Sequence, residues 1–311
     1  MNILVTGGAG YIGSACIKKL SEEGHNISVV DNLSSGRREL VPDSAKFFEL
    51  DLAKDDLSSL FENDVDAILH MAAYKDAGAS MFNLPLYSEN ITGTVRLLDE
   101  AVKKGIKQII YSSSALTYGD VKYTPIDEQH PTIPVNYYGF TKLKCEELIE
   151  WYAKRYNFQY VNLRYFNPIG DGGLKYIDPN AKNLTPLLME VAAGKRDKIM
   201  VYGNDYPTVD GTCVRDYIDL NDLVEAHTLA LDLKTSETIN LGTAKGSSVI
   251  EMIGLTEKIT GKKINYEIYA RREGDPPILV AAYDKAKQIL GWEPKTSIED
   301  SLESVWKVYR Y

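Results

Sequence analysis

The sequence predicts a doubly wound α/β fold: a parallel sheet with helices on both faces, joined to a smaller α/β lobe. Short β-branched runs alternate with amphipathic stretches through the first half. A glycine-rich turn links the first apolar run to the first amphipathic stretch. Past Asn167 the punctuation by Gly170, Gly172, Gly173, Pro179 and Pro186 ends the alternation. With 311 residues, 44% hydrophobic and 25% charged, the chain is long and apolar enough to bury a large core.

Taken in order, residues 3–6, 27–30, 47–50, 67–71 and 108–112 read as strands, and 160–164 as a sixth. Helical recurrence marks 11–23, 57–62, 86–104 and 138–156. A further strand is expected at 238–241, returning to the first sheet, and helices at 248–260 and 301–309. The polar stretch 203–211 has no useful period and reads as a loop. The expected domains are discontinuous: 1–166 plus about 219–243 for the sheet, about 167–218 and 244–311 for the second lobe.

Charge and punctuation exclude several classes of function. Lys plus Arg number 35 against 44 Asp plus Glu, a net charge of −9, which argues against a nucleic-acid partner. No basic segment leads into an apolar signal stretch, and no run approaches the roughly 18 apolar residues of a membrane span, so the expected location is the cytoplasm and no membrane is expected as partner. Cys16, Cys145 and Cys213 are far apart and read as packed thiols. His25, His70, His130 and His227 lack metal-ligand spacing, so no metal is expected.

Gly7, Gly10 and Gly13 follow the first strand and open the first helix. In that context they give a tight turn, close backbone approach to a pyrophosphate and close helix–strand packing, with the helix N-terminus facing the phosphates, as in a Rossmann-type sheet. Asp31 ends the second strand, where a carboxylate can accept both hydroxyls of an adenosine ribose. The same acid repels a 2′-phosphate, which favours NAD over NADP, although Arg37 and Arg38 stand close by. Asp51, ending the third strand, suits either the adenine edge or a turn cap.

A Tyr-x-x-x-Lys spacing sets both side chains on one helical face, where the lysine charge and the positive nicotinamide ring beside it would lower the phenol pKa towards that of a usable base. Among 21 tyrosines the pattern occurs at Tyr118/Lys122, Tyr138/Lys142 and Tyr283/Lys287. Only Tyr138 opens a helix, and that helix follows a strand ending Ser112-Ser113-Ser114, whose hydroxyls can share a substrate hydroxyl with the tyrosine. Tyr118 falls in a turn-rich loop and Tyr283 in the second lobe.

The segments TGGAGYIGS (6–14), DNLSSG (31–36), SSSALTYGD (112–120), YGFTK (138–142), LRYFNPIG (163–170), YGNDYPTVDGTCVRDYI (202–218) and RREGDPP (271–277) span nearly the whole chain. With them the sequence resembles the UDP-glucose 4-epimerase family, in the extended branch of the short-chain dehydrogenase/reductase superfamily. The last two segments are the most specific to hexose 4-epimerases. The resemblance implies that NAD stays bound through turnover. Tyr138 would remove the 4-hydroxyl proton of a UDP-hexose, Ser114 would orient that hydroxyl, and Lys142 would hold the nicotinamide ribose and depress the tyrosine pKa. Oxidation at C4, rotation of the 4-keto sugar and reduction of its other face would interconvert UDP-glucose and UDP-galactose.

Around NAD the resemblance further places Tyr11, Ile12, Asn32, Leu33, Ser34, Ser35, Gly36, Asp51, Leu52, Met71, Ala72, Ala73, Lys75, Asn90, Ser112 and Phe166. In the second lobe it implies Arg215 and Arg272 on the diphosphate and Asn167, Asn183 and Leu184 near the diphosphate and uridine. Tyr202 would pack on uracil beside Met200, Asp275 would hold the uridine ribose, and Leu279 would set room for the hexose 2-substituent. Lys75 is also implied near the sugar nucleotide. Leucine is intermediate in size, so N-acetylated hexoses stay open as substrates. Ala282 and the pair Asp76-Ala77 depart from the residues many relatives carry. The superfamily also implies a homodimer formed through the helices at 86–104 and 138–156, in which Tyr87, Leu97, Leu98, Leu148 and Trp151 could serve, unless they pack within one chain.

Alternatives remain at this level. A 4-epimerase of UDP-glucuronate or a UDP-pentose shares the machinery. A sugar-nucleotide 4,6-dehydratase would need a general acid where the sequence reads Ser113-Ser114-Ala115. A non-catalytic NAD-sensing module would have no need to keep Ser114, Tyr138 and Lys142 together.

Overall fold

A computed structural model of the chain describes residues 1–177, 182–272 and 275–311. Pro179, Glu273 and Gly274 lie outside the described residues. The chain opens with β1 (Asn2–Thr6), α1 (Tyr11–Glu22), β2 (Asn26–Asp31), β3 (Lys46–Glu49) and β4 (Ala67–His70). It continues through α2 (Ala77–Ser80), α3 (Leu84–Lys103), β5 (Gln108–Ser114), α4 (Tyr137–Tyr156) and β6 (Gln159–Tyr165). Next come β7 (Asn167–Ile169), α5 (Leu184–Ala192), β8 (Ile199–Tyr202), β9 (Val214–Asp219), α6 (Leu220–Ala230) and β10 (Glu237–Leu241). The last elements are β11 (Gly246–Ser248), α7 (Val249–Thr260), β12 (Tyr266–Tyr269), β13 (Ile278–Leu279), α8 (Asp284–Leu290) and α9 (Ile298–Tyr309).

The first compact unit comprises residues 1–120, 131–165 and 224–240. Its sheet has seven strands in the order β10-β6-β5-β4-β1-β2-β3. β1 pairs in parallel with both β2 and β4. The chain therefore winds outward from β1 to β3, then restarts at β4 on the other side. That reversal leaves the carboxyl ends of β1 and β4 as the crevice where open α/β sheets bind ligands. The inner strands β1, β4 and β5 are buried on both faces, and Leu4, Ile68, Leu69, Ile109 and Ile110 are at most 1% exposed.

The element at 57–62 departs from expectation: it is a 3-10 turn over Ser58–Phe61. Leu57, Leu60 and Phe61 still enter the core with Leu97 and Ile149. The apolar residues there are buried as the spacing implied, but the backbone closes a single 3-10 turn, a first α-helical turn being costly to nucleate. The strand expected at 238–241 is β10, which takes the sheet edge beside β6.

The second unit comprises residues 121–130, 166–223 and 241–311. Here β9 is central, parallel to β7 and β13 and antiparallel to β11, while β8 and β12 form a separate parallel pair. Leu188, Met189, Ile199, Met252 and Leu302 form its core. Residues 121–130 group with this unit through backbone bonds of Ile126 to Val280 (2.8 Å) and from Ala282 (2.7 Å), a placement absent from the linear division at residue 166. Pro186, read above as a breaker, is the third residue of α5. The first four N–H groups of a helix have no intrahelical partner, so a proline there costs no bond.

Candidate active site

The turn after β1 is built around glycine. Gly7 has φ +70° and donates its N–H to the Val30 carbonyl at 2.8 Å. A Cβ on it would fall 2.7 Å from the Ala72 nitrogen, and a Cβ on Gly13 would overlap the Gly7 carbonyl oxygen. Gly10 caps α1 without a side-chain bond. A Cβ there would meet only the Gly7 carbonyl, at 3.3 Å, so space stays open before the first turn of a twelve-residue helix. Tyr11 and Ile12 begin that helix.

Asp31 closes this turn from β2. Its Oδ2 accepts the Ala9 N–H at 3.0 Å and its Oδ1 the Leu33 N–H at 2.9 Å. Burial raises its carboxyl above the ordinary value, and the two N–H bonds offset part of the rise. A carboxylate has about four acceptor directions, so two remain for a ligand's hydroxyls. The 32–36 loop bends sharply beyond it: Leu33 has φ +55°, Ser34 N–H bonds the Asn32 side chain at 3.0 Å, and Gly36 leaves no room for a Cβ beside Asp31. Ser35 lies in the same exposed bend.

Asn32 donates to Asp51 at 3.1 Å. Burial resists ionisation of Asp51, but bonds from the Ala53 N–H, Asn32 and Lys54 outweigh it and hold the carboxyl below its usual range. Of the two readings of Asp51, the turn cap is the one present, its Oδ1 accepting the Ala53 N–H at 2.9 Å. Leu52 packs against the first unit's core.

After β4, the Met71 and Ala72 N–H groups both bond Thr6 Oγ1 at 3.1 Å, which holds the 71–73 segment, Ala73 included, against the glycine turn. Thr6 also bonds His70 Nδ1 at 2.8 Å, and His70 Nε2 bonds Thr94 at 2.9 Å. Burial, with the Lys142 charge adding, drives the imidazole pKa down to about 3, so it stays neutral. The sequence reading missed this brace, because nothing in residue spacing joins Thr6, His70 and Thr94. Asn90 on α3 holds both backbone groups of Tyr74 (2.9 and 3.1 Å) and bonds Thr141 on α4 at 3.1 Å. Lys75, next to Tyr74, is exposed.

The tyrosine–lysine pair sits where the strand ends. Asn136 caps α4 by accepting the Gly139 N–H at 2.8 Å, which fixes the helix start at Tyr137. Tyr138, 9% exposed, hydrogen-bonds the Ser114 hydroxyl. Ser114 also accepts the Leu116 N–H at 3.2 Å. Lys142, 2% exposed, donates to the Ser112 carbonyl at 2.7 Å, and its ammonium lies 4.9 Å from the Tyr111 ring and 5.9 Å from that of Tyr138. Burial lowers the Lys142 pKa to about 8.

Burial, reinforced by Tyr165, pushes the Tyr138 phenol up, and the Ser114 bond offsets only part of the rise. The lowering expected from the lysine together with a nicotinamide ring concerns the cofactor-bound state. The rival pairs do other work. Tyr118 is fully buried and bonds Asn240 at 2.6 Å, while Lys287 pairs with Glu293 at 2.6 Å.

In the second unit, Tyr202 and Met200 share β8 and bond at 3.6 Å, and the Arg272 guanidinium lies 3.8 Å over the Tyr202 ring. Arg215, on β9, pairs with Asp275 at 3.1 Å and donates to the Pro276 carbonyl at 2.8 Å. Leu279 is opposite Arg215 in the β13–β9 register and is 4% exposed. Asn167 begins β7, opposite Tyr217 of β9. Asn183 is the N-cap of α5 without a side-chain cap bond, and Leu184 is the first helical residue. Phe166 is 6% exposed and donates its N–H to the Leu241 carbonyl at 3.3 Å. Arg271, over the Tyr206 ring at 4.2 Å and paired with Asp205 at 2.7 Å, was not foreseen.

Among the described residues no group of His, Cys, Asp and Glu could hold a metal ion, and no helix is long and apolar enough to cross a membrane. A glycine turn, a strand-ending acid and a Ser/Tyr/Lys cluster on one doubly wound sheet define a dinucleotide-dependent enzyme of the extended dehydrogenase type. Residues 3–242 match the model of the NAD dependent epimerase/dehydratase family. The chain belongs to that family.

Its relatives are more specific. A UDP-glucose 4-epimerase of Streptococcus mutans is 42% identical over 98% of this chain and 96% of its own length. One from Bacillus subtilis is 41% identical over 99% of this chain and 96% of its own. The structure of the Bifidobacterium longum UDP-glucose 4-epimerase in complex with NAD+ and UDP superposes with a TM-score of 0.94 at 36% identity, covering 99% of this chain and 98% of that one.

Proposed function

We propose that this chain is a UDP-glucose 4-epimerase, interconverting UDP-glucose and UDP-galactose by transient oxidation at the sugar C4. The observation that carries this reading is the Ser114–Tyr138–Lys142 cluster in the same unit as the dinucleotide turn. Likeness at about 40% identity over nearly the full length of named epimerases supports it.

The residues present fit NAD. Gly10 leaves space at the α1 N-terminus for a pyrophosphate, and Asp31 keeps acceptor directions for ribose hydroxyls. Asn32, Leu33, Ser34, Ser35, Gly36, Asp51 and Leu52 complete the adenosine side of this proposal, with Met71, Ala72, Ala73, Lys75, Asn90, Ser112 and Phe166 towards the nicotinamide. NAD, when bound, takes up the C4 hydrogen with its electron pair and later returns it.

The chain's own residues handle position and protons. Ser114 holds the sugar 4-hydroxyl, and Tyr138 accepts its proton as C4 is oxidised and gives it back on reduction. Lys142, held by Ser112, supplies positive charge beside the phenol and stabilises the phenolate that must form in a buried place. The 4-keto sugar turns over between the two half-reactions, so the nucleotide needs a firm hold and the hexose a loose one. We assign that hold to Arg215 and Arg272 on the diphosphate, whose guanidinium forks suit phosphate oxygens. Asn167, Asn183, Leu184, Met200, Tyr202 and Asp275 would serve uridine, and Leu279 the hexose.

The reading includes a homodimer. Tyr87, Leu97 and Leu98 are buried within one chain and are no part of such a surface, whereas Trp151 on α4 is 69% exposed. Phe82 (91%), Leu84 (45%) and Phe140 (38%), near the starts of α3 and α4, are further exposed apolar side chains. It also includes a cytoplasmic location, in keeping with three free cysteines.

Proton NMR of the purified protein with UDP-galactose, first without and then with added NAD, tests the reading. Appearance of the gluco anomeric signal is expected. An unchanged spectrum with NAD bound would overturn it.

A further inference from the structure

Three side chains spaced four residues apart on α4 each grip one of the serines that end β5. Tyr138 bonds the Ser114 hydroxyl, Lys142 bonds the Ser112 carbonyl at 2.7 Å, and the Glu146 carboxylate accepts from the Ser113 hydroxyl. The first two belong to the chemistry proposed above; the third has no assigned role. Glu146 is itself held by Arg164, whose Nε donates to Oε1 at 2.9 Å and whose Nη2 donates to Oε2 at 2.5 Å. Arg164 stands directly across from Ser113 in the β5–β6 register. Its Nη1 donates to the Tyr118 hydroxyl at 3.2 Å, which donates to Asn240 at 2.6 Å.

The side chains of Arg164 and Glu146 are 8% and 2% exposed. A buried ion pair is weak evidence of stability, since apolar side chains of similar volume often serve as well. What distinguishes this one is its place. Glu146 lies one helical turn beyond Lys142, a spacing that sets side chains beside each other. The other titratable groups around the Lys142 ammonium are uncharged. On α4 these are Tyr138 and the Cys145 thiol, which burial pushes up; on β5 it is Tyr111, also pushed up; on β4 it is neutral His70. Among these described residues Glu146 is the carboxylate, and it is paired with the Arg164 guanidinium.

We propose that Glu146, fixed by Arg164, is a positioning residue for the reaction: it clamps the end of β5 against α4 so that Ser114 meets Tyr138, and it places a negative charge beside the Lys142 ammonium. The inference rests on the functional reading above. Its electrostatic half is separately measurable.

Glu146→Gln keeps the shape and removes the charge, leaving cationic Arg164 nearby. In the full chain labelled with 13C at lysine Cε, the Lys142 signal, assigned by its loss in Lys142→Arg, is expected to titrate about one pH unit lower than in the wild type. With NAD supplied, the alkaline limb of kcat should move down with it, kcat at pH 8 falling roughly fivefold while KM stays within about twofold. Glu146→Asp, which restores the charge, should restore the limb. The double variant Glu146→Gln/Arg164→Met leaves no unpaired buried charge, so it tests the idea if the single variant does not fold; its Lys142 midpoint should still lie below the wild-type value. Equal Lys142 midpoints in wild type and variants, with only a lowered Tm, would overturn the proposal. Because that titration uses no substrate, a wild-type chain that fails to epimerise would sink the functional reading and leave the lysine measurement standing.

Discussion

The carboxylate of Asp31, at the end of β2, accepts the backbone N–H of Ala9 at 3.0 Å and so ties the second strand to the glycine turn that follows the first. One side chain thus shapes the turn, and the ribose contact proposed for Asp31 would fall on the same carboxylate.

Asp31→Ala should therefore do two things. Leaving the Ala9 and Leu33 N–H groups without their charged partner costs about 1–3 kcal/mol of stability. Loss of two charge-assisted bonds to a ribose should weaken NAD binding by at least about tenfold. Calorimetric NAD titration and urea unfolding of the same samples check both. Unchanged NAD affinity would detach Asp31 from the cofactor.

Glycines separate packing from propensity. Gly13→Ala would drive its Cβ onto the Gly7 carbonyl, and a loss above about 2 kcal/mol is expected. Gly254, exposed within α7, has nothing within 4 Å of a Cβ, so Gly254→Ala should stabilise by roughly 0.5–1 kcal/mol. Thermal melts of the two variants should move in opposite directions.

Tyr138→Phe keeps the buried ring and removes the group that carries the proton. Turnover of UDP-galactose should fall by at least about a hundredfold, with the Tm within a few degrees of wild type. A variant that still turns over at near-normal rate would remove Tyr138 from the chemistry.

The pH dependence follows from Lys142. Its pKa, lowered by burial to about 8, means that the ammonium is charged below that value and neutral above it. The charged form is the one that stabilises a phenolate, so kcat should be steady below about pH 7, fall to roughly half near pH 8 and decline further above it. A profile still climbing at pH 9 would contradict this sign.

Leu279, 4% exposed and opposite Arg215, is assigned to the hexose. Leu279→Ala should raise the kcat/KM ratio of UDP-N-acetylgalactosamine over UDP-galactose several-fold, in keeping with the 1–3 kcal/mol that a small change in an apolar pocket is worth. An unmoved ratio would place the 2-substituent elsewhere.

The strands and long helices of the first unit were legible in the sequence because buried parallel strands are apolar runs and long helices repeat every 3.6 residues. Gly7, Gly10, Gly13, Asp31, Tyr138 and Lys142 were legible because each sits at a fixed offset from a strand or helix end. The short second-unit strands β7, β11 and β13 carried no such period, being two or three residues long. Segment 121–130 belongs to the second unit through the backbone of Ile126, which leaves no trace in side-chain pattern.

The sequence alone determined the doubly wound sheet and singled out the glycine turn and the Tyr138–Lys142 pair, since these depend on contacts close along the chain or on motif spacing. Only the tertiary structure decided which charges are buried and what they face. Glu146 and Arg164 meet 18 residues apart under Ser113, and His70 is neutral between Thr6 and Thr94. Desolvation and hydrogen bonding depend on everything packed around a group, and most of that comes from distant parts of the chain.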